Sequence, residues 1–90
     1  MIQETSQLAF YNFVKPNLGE RQKAVFELLE KADNLTNSEI ASRLGWPINT
    51  VVPRVYELRK ANLVCEATKR VCRITGRRVI AWQKVKNTLF

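Results

Sequence analysis

Ninety residues are enough for one domain with one modest hydrophobic core, and the formal net charge of +7 is concentrated in one half of the chain. Residues 1–45 carry five basic and six acidic residues, whereas residues 46–90 carry ten basic and two acidic ones, a balance typical of a surface for a polyanion. The chain has no histidine and its carboxylates are scattered, so we expect no catalytic residues, no metal site, no cofactor and no enzyme activity.

The first predicted helix covers residues 6–14, where apolar side chains follow Thr5-Ser6 and the pattern stops before Pro16. We expect residues 1–19 to form an N-terminal helix and linker that pack on the domain. Polar residues interrupt any signal-peptide core, and no apolar run is long enough for a membrane span, so a cytoplasmic protein without membrane contact is expected. The same helix either supports a homodimer or covers the core.

Two further helices are predicted in the next 26 residues. The second covers about residues 20–32, with apolar side chains on one stripe and charged ones mostly outside it. Thr36, followed three residues later by Glu39, forms a capping-box pattern that opens a short helix over 37–44. Gly45 ends this helix, since glycine tolerates the left-handed conformation that follows a helix end.

A fourth helix is predicted over about residues 50–61, after a turn formed by residues 46–48 and with Asn49 as its cap. Its apolar stripe at i, i+4 and i+7 faces the core and consists of Val51, Val55 and Leu58. Asn62 can adopt the left-handed conformation at its end.

A β-hairpin is predicted next, because the apolar period changes to two from Cys65 onward. The strands are expected over residues 69–74 and 79–82, with a turn at 75–78, and residues 86–90 form a tail. Cys65 and Cys72 fall in this extended region, where free thiols that pack as small apolar groups are expected, although their number also permits a disulfide. Trp82 is expected in the core.

This order of elements predicts a winged helix-turn-helix over residues 20–85. Its class is α+β, mainly α with a small β-hairpin: about four helices followed by a two-stranded wing. In such folds a short helix braces a second one, whose first residues approach base edges in the DNA major groove. The base-proximal candidates are Asn49, Thr50, Pro53 and Arg54.

Each of these four residues also has a purely structural interpretation. Asn49 can cap the helix, Thr50 can sit in its first turn, and Pro53 can stiffen its start. Arg54 can pair with Glu57 three residues later instead of binding nucleic acid. Glu57 would repel phosphates unless it is paired.

The wing supplies the second group of candidates, since five cations lie along one strand and its turn. Arginine binds phosphates and is favoured in a narrow minor groove. The five are Lys69, Arg70, Arg73, Arg77 and Arg78. The phosphate-binding set proper is Arg73, Arg77 and Arg78 with Ser38, Arg43 and Lys60. A solvated basic face without a partner is the alternative.

The chain resembles winged helix-turn-helix DNA-binding proteins of bacteriophages and mobile elements. The resemblance rests on Leu-Gly-Trp-Pro-Ile-Asn at 44–49, Val-x-Pro-Arg-Val-x-Glu-Leu-Arg at 51–59, Asn-Leu-Val at 62–64 and Cys-Arg-Ile-Thr-Gly-Arg at 72–77. It implies that the helix over 50–61 is the recognition helix and that Arg54 and Arg77 face double-stranded DNA. We expect a transcriptional or replication regulator in the cytoplasm of a bacterial host, although the family implies no single biological role.

Two other functions stay open at this point. A winged helix can serve as a protein–protein interaction module that does not bind DNA. Binding of RNA or single strands ranks third, because it favours exposed aromatic side chains for stacking and only Tyr56 and Trp46 are candidates.

Overall fold

The computed structural model describes residues 18–85, which form three α-helices and a three-stranded antiparallel sheet. In chain order the elements are α1 (Glu20–Lys31), β1 (Leu35–Thr36), α2 (Asn37–Leu44), α3 (Ile48–Lys60), β2 (Val64–Val71) and β3 (Arg78–Lys84). The expectation of a mainly helical α+β fold with about four helices and a two-stranded wing is therefore wrong in its architecture, because the described residues form three helices and a three-stranded sheet; the α+β class itself is kept. The helix predicted over 6–14, its dimer role and the tail at 86–90 lie outside the described residues.

The sheet has the order β1-β3-β2, so β3 is the central strand. The two residues of β1 pair with it, Leu35 opposite Trp82 and Thr36 opposite Ala81. The long β2–β3 ladder is irregular between Glu66 and Thr68. Strand β1 thus adds a third strand to the predicted two-stranded hairpin. Sequence periodicity does not reveal it, because β1 is short and its partner is distant in sequence.

Local capping signals determine α2, whose bounds match the prediction. Thr36 Oγ1 accepts a hydrogen bond from Glu39 N at 3.1 Å, and Thr36 N donates to Glu39 Oε1 at 3.1 Å. Both halves of the capping box are therefore present. Gly45 follows the helix with φ of 70°, which confirms its left-handed role.

The start of α3 differs from the prediction. Pro47, with φ of −60° and ψ of 146°, is the N-cap residue, and the helix begins at Ile48. The interpretation of Asn49 as the cap is therefore wrong, because it already lies inside the helix. Pro53 lies correspondingly deeper in the helix, where it has no N–H to offer the carbonyl of Asn49. The helix ends at Lys60, and φ of 63° confirms the left-handed conformation of Asn62.

The hairpin turn is longer than predicted and begins earlier. Cys72 N donates to Arg77 O at 2.7 Å, and Gly76 N donates to Cys72 O at 2.9 Å. These two bonds close the turn around residues 73–76, so the predicted strand over 69–74 and turn at 75–78 are wrong. Gly76 has φ of 73°, which a residue with a Cβ rarely adopts. Both cysteines are free thiols, Cys72 buried and Cys65 half-buried.

The core joins the helices to one face of the sheet. Trp82 closes the sheet onto the helices as predicted, and Trp46 packs against the edge of the cluster. The buried cluster comprises Val25, Phe26, Leu29, Leu35, Ile40, Ala41, Val51, Val55, Leu58, Leu63, Val64 and Trp82. Of the helices in residues 18–85, none has the length and apolar character needed to cross a bilayer.

Candidate nucleic-acid interface

Helix α3 has one face in the core and the opposite face in solvent. Val51, Val55 and Leu58 are buried, as the apolar stripe predicted. A helix that places a full stripe in the core presents the other side outward, about 180° away. The exposed residues on and beside that outward side are Ile48, Asn49, Val52, Pro53, Tyr56, Arg59 and Lys60.

An apolar row runs along one flank of this outward face, and its first member, Ile48, lies beside the hairpin turn. Ile48, Val52 and Tyr56 are 45%, 44% and 57% exposed. Their four-residue spacing places them one above the other on the helix. Sequence reasoning selected Asn49 and Pro53 but did not include Ile48 or Val52 in the site. The sequence does carry a signal for this row, because apolar residues recur every four positions outside the stripe that faces the core.

Arg54 lies on a different side of α3, towards α1. Its Nη2 pairs with Glu57 Oε2 at 2.9 Å, and Gln22 Nε2 donates to Glu57 Oε1 at 2.7 Å. The hydrogen bond from Gln22, together with the charge and hydrogen bond of Arg54, lowers the pKa of Glu57 despite some desolvation. The structure thus separates Arg54 from Asn49 and Pro53, and Thr50 is half-buried.

One groove joins three elements of the predicted site. Its lining includes Ser38 from the start of α2, Ile48 from the start of α3, and Thr75 and Arg77 from the hairpin turn. We call the outward face of α3 together with this groove the α3–hairpin surface, comprising Ser38, Ile48, Asn49, Val52, Pro53, Tyr56 and Arg77. It places a helix start beside an arginine of the turn.

The hairpin arginines are exposed, with Arg77 on this surface and Arg78 next to Arg77 in the chain. Within residues 18–85 the ion pairs that form involve other cations, and the side chains of Arg73, Arg77 and Arg78 have no carboxylate partner there. Lys60 lies at the far end of the α3 face, with Nζ 5.7 Å from the centroid of the Tyr56 ring. These cations are therefore available to a polyanion.

The remaining predicted phosphate ligands lie elsewhere. Arg43 and Arg73 line a second groove, together with Lys31, Asp33 and Arg70. The structure therefore divides the predicted cations between two grooves, and it does not bring Arg43 together with Ser38 and Arg77.

Arg70 is a structural residue, which corrects its assignment to the wing cations. Its Nη2 donates to Glu39 Oε1 at 2.6 Å and its Nη1 to Glu39 Oε2 at 2.8 Å, while Nε donates to Asn34 Oδ1 at 2.8 Å. Arg73 N donates to the same carboxylate at 2.9 Å. The Arg70 hydrogen bonds above all, with those from the Arg73 and Thr36 backbone, outweigh burial and lower the pKa of Glu39 to about 2. Glu39 thereby fixes the hairpin against α2.

The Cys72 thiol makes a second connection between the turn and the rest of the fold. Its Sγ lies 3.0 Å from Thr36 Oγ1, and Ile74 N donates to it at 3.4 Å. Burial raises the pKa of this thiol, but hydrogen bonds with Thr36, Thr75 and Ile74 outweigh burial. The net result is a pKa lowered to about 7. Among residues 18–85 no group of three or more His, Cys, Asp or Glu residues could hold a metal ion.

No protein-family model matches the chain, and a search of curated proteins gives no match either.

Proposed function

We propose that this protein is a small, non-enzymatic binder of double-stranded DNA that uses the α3–hairpin surface. In this proposal α3 enters the major groove, which is about 12 Å wide and admits one α-helix. Arg77 and Arg78 contact phosphates or the edge of the minor groove. Lys60 adds a phosphate contact at the far end of the helix.

The observation that carries the proposal is the groove shared by Ser38, Ile48 and Arg77. It brings the starts of two consecutive helices beside the turn of the hairpin. An outward helix flanked by exposed cations is an arrangement that can contact base edges and phosphates together. The +8 balance of residues 46–90 supplies the attraction to a polyanion.

The acidic side chains nearest α3 support the same proposal. Glu57 is held on the α1 side by Gln22 and Arg54, away from the outward row. Glu39 is 4% exposed and paired with Arg70. Each carboxylate is therefore paired with an arginine, which reduces its repulsion of a phosphate backbone laid across the α3–hairpin surface.

The biological role that we propose rests on the resemblance described above. The segments at 44–49 and 72–77, which carry that resemblance, both contribute to the α3–hairpin surface. We therefore extend the proposal to a phage-type regulator of transcription or replication.

The test is an anisotropy titration of a fluorescent, mixed-sequence 24-base-pair duplex at several salt concentrations. If five to seven phosphates are neutralised, log K falls against log salt with a slope of roughly −4 to −6. Arg77→Ala with Arg78→Ala should weaken binding to every duplex and reduce the magnitude of that slope by about 2. Arg21→Ala with Lys23→Ala removes the same charge from the exposed side of α1 and should keep most of the slope.

A second candidate function is docking of a protein partner, and the exposed apolar residues favour it. Besides the α3 row, Val71 and Ile74 of the hairpin are 57% and 56% exposed. Contiguous exposed apolar surface often marks a protein interface. Absence of duplex binding at low salt would rule out the DNA proposal and leave this one.

A further inference from the structure

The apolar row on α3 sets the kind of base that this helix can recognise, an inference that rests on the proposed DNA binding. Ile48, Val52 and Tyr56 expose about half of each side chain along one side of the helix. The exposed ring of Pro53 adds to the apolar area. An apolar row on a helix in the groove contacts base edges through van der Waals surface rather than through charge.

The arginines of α3 are engaged elsewhere. Arg54 pairs with Glu57 on the α1 side, and the Arg59 guanidinium lies 5.2 Å from the Trp82 ring while pairing with Glu66. Bidentate arginine is the usual reader of guanine. Both arginines of α3 therefore already have a carboxylate partner, and the three members of the apolar row offer no bidentate donor for guanine.

The group in the major groove that does fit an apolar row is the C5-methyl of thymine. Asn49, exposed beside the row, offers the amide that pairs with adenine through its N6 and N7 atoms. An A·T pair presents both features at once. The exposed arginines around the row, with Arg77 lining the groove next to Ile48, favour DNA over an apolar protein as the occupant.

We propose that the Ile48–Val52–Tyr56 row of α3 reads thymine methyl groups in the major groove, so that the protein selects A·T-containing sites. Removal of one methyl from a fully buried contact weakens binding about fourfold. Two such contacts give about a 15-fold effect and three give about a 60-fold effect.

The experiment compares two duplexes of A·T pairs that differ only in the thymine methyl. One 20-base-pair duplex contains thymine and the other contains uracil at every such position, so backbone charge is the same. We expect the wild-type protein to bind the thymine duplex about 15- to 60-fold more tightly. A G·C duplex with 5-methylcytosine should likewise bind more tightly than the unmodified one, because that methyl occupies the corresponding position.

Val52→Ala assigns the effect to the row. Val52 is 44% exposed, so the variant should fold, which circular dichroism checks. It should reduce the thymine-to-uracil preference about fourfold and, because no charge is removed, leave the salt slope unchanged. Val71→Ala, which removes the same atoms from an exposed strand residue of the hairpin, should keep the full preference.

The outcomes separate this inference from the function on which it rests. Tight duplex binding with equal affinities for thymine and uracil would overturn the methyl inference and leave DNA binding standing. An equal loss of preference in Val52→Ala and Val71→Ala would overturn the assignment to α3. Absence of binding to any of the four duplexes at low salt would overturn both proposals and favour the protein-docking function.

Discussion

Replacing Glu39 with glutamine tests whether one carboxylate fixes the hairpin against α2. The carboxylate accepts hydrogen bonds from both terminal nitrogens of Arg70 and from the backbone N–H groups of Thr36 and Arg73. The amide of glutamine has the same shape but only one accepting oxygen, so about half of these donors lose their acceptor. The Arg70 guanidinium also loses its counter-charge.

The size of the effect follows from the lowered pKa of Glu39. The difference between the usual value of 4.5 and the native value of about 2 corresponds to about 3 kcal/mol at neutral pH, at about 1.4 kcal/mol per tenfold change in proton affinity. Breaking a buried ion pair costs about 3–5 kcal/mol. Arg70 is 22% exposed, so water compensates part of that loss. We therefore expect Glu39→Gln to lower the free energy of unfolding by about 3 kcal/mol.

The assay is urea denaturation, followed by tryptophan fluorescence at several pH values. Because the pKa of Glu39 is lower in the folded state, its stabilisation is fully present above about pH 4.5 and is lost as pH falls towards 2. The gap between wild type and Glu39→Gln should therefore be about 3 kcal/mol at pH 7 and close to zero at pH 2.

Glu66→Gln is the matched control for this comparison. Glu66 pairs with Arg59 at 3.4 Å, and both side chains are about half exposed, 50% and 52%. Exposed pairs of this kind contribute under about 1 kcal/mol. The reasoning would be refuted if Glu39→Gln and Glu66→Gln cost the same at pH 7, or if the gap for Glu39→Gln did not change with pH.

Three further predictions concern single residues. Leu58→Ala should lower the free energy of unfolding in urea by about 2–5 kcal/mol, because Leu58 is 1% exposed; a loss under about 1 kcal/mol would contradict its place in the core. Asn62→Gly should raise that free energy by up to about 1 kcal/mol, because Asn62 has φ of 63° and glycine adopts positive φ without strain from a Cβ. A decrease would contradict the left-handed conformation of this residue. Arg54→Ala should leave the thymine-to-uracil preference unchanged, because its guanidinium pairs with Glu57 and not with the groove-facing row; a changed preference would return Arg54 to the base-proximal set.

Elements with local signals were predictable from the sequence. Nearby residues determine both ends of α2. The capping box of Thr36 and Glu39 begins the helix, and the left-handed Gly45 ends it. The core stripe of α3 and the left-handed Asn62 follow from the same kind of local pattern. In each case the interaction partners lie within a few positions along the chain.

The start of α3 was not predictable with the same rules. Asparagine is a favoured cap residue, so the prediction placed the cap at Asn49, two positions after the observed cap, Pro47. In the structure the fixed φ of Pro47, −60°, suits the cap position although no side chain caps the helix. This shift places Ile48 in the first helical turn and extends the apolar row to three members.

Non-local contacts account for the other differences. Strand β1 consists of two residues whose partners lie more than 40 positions away. Arg70 looks like one more cation of a basic strand, but its acidic partner Glu39 lies 31 positions earlier. Such a distant partner decides whether a basic residue binds a ligand or stabilises the fold. The pattern of charges along the chain does not reveal that partner.

The most direct test of the central claim is NMR mapping of the face that contacts duplex DNA. A ¹⁵N-labelled protein is titrated with a mixed-sequence duplex at low salt, and backbone amide shifts are followed. We expect the largest changes at residues 48–56 of α3 and 73–78 of the hairpin turn, with little change at 20–31 of α1. Largest changes in α1, or no changes at all at low salt, would contradict the claim that the α3–hairpin surface binds DNA.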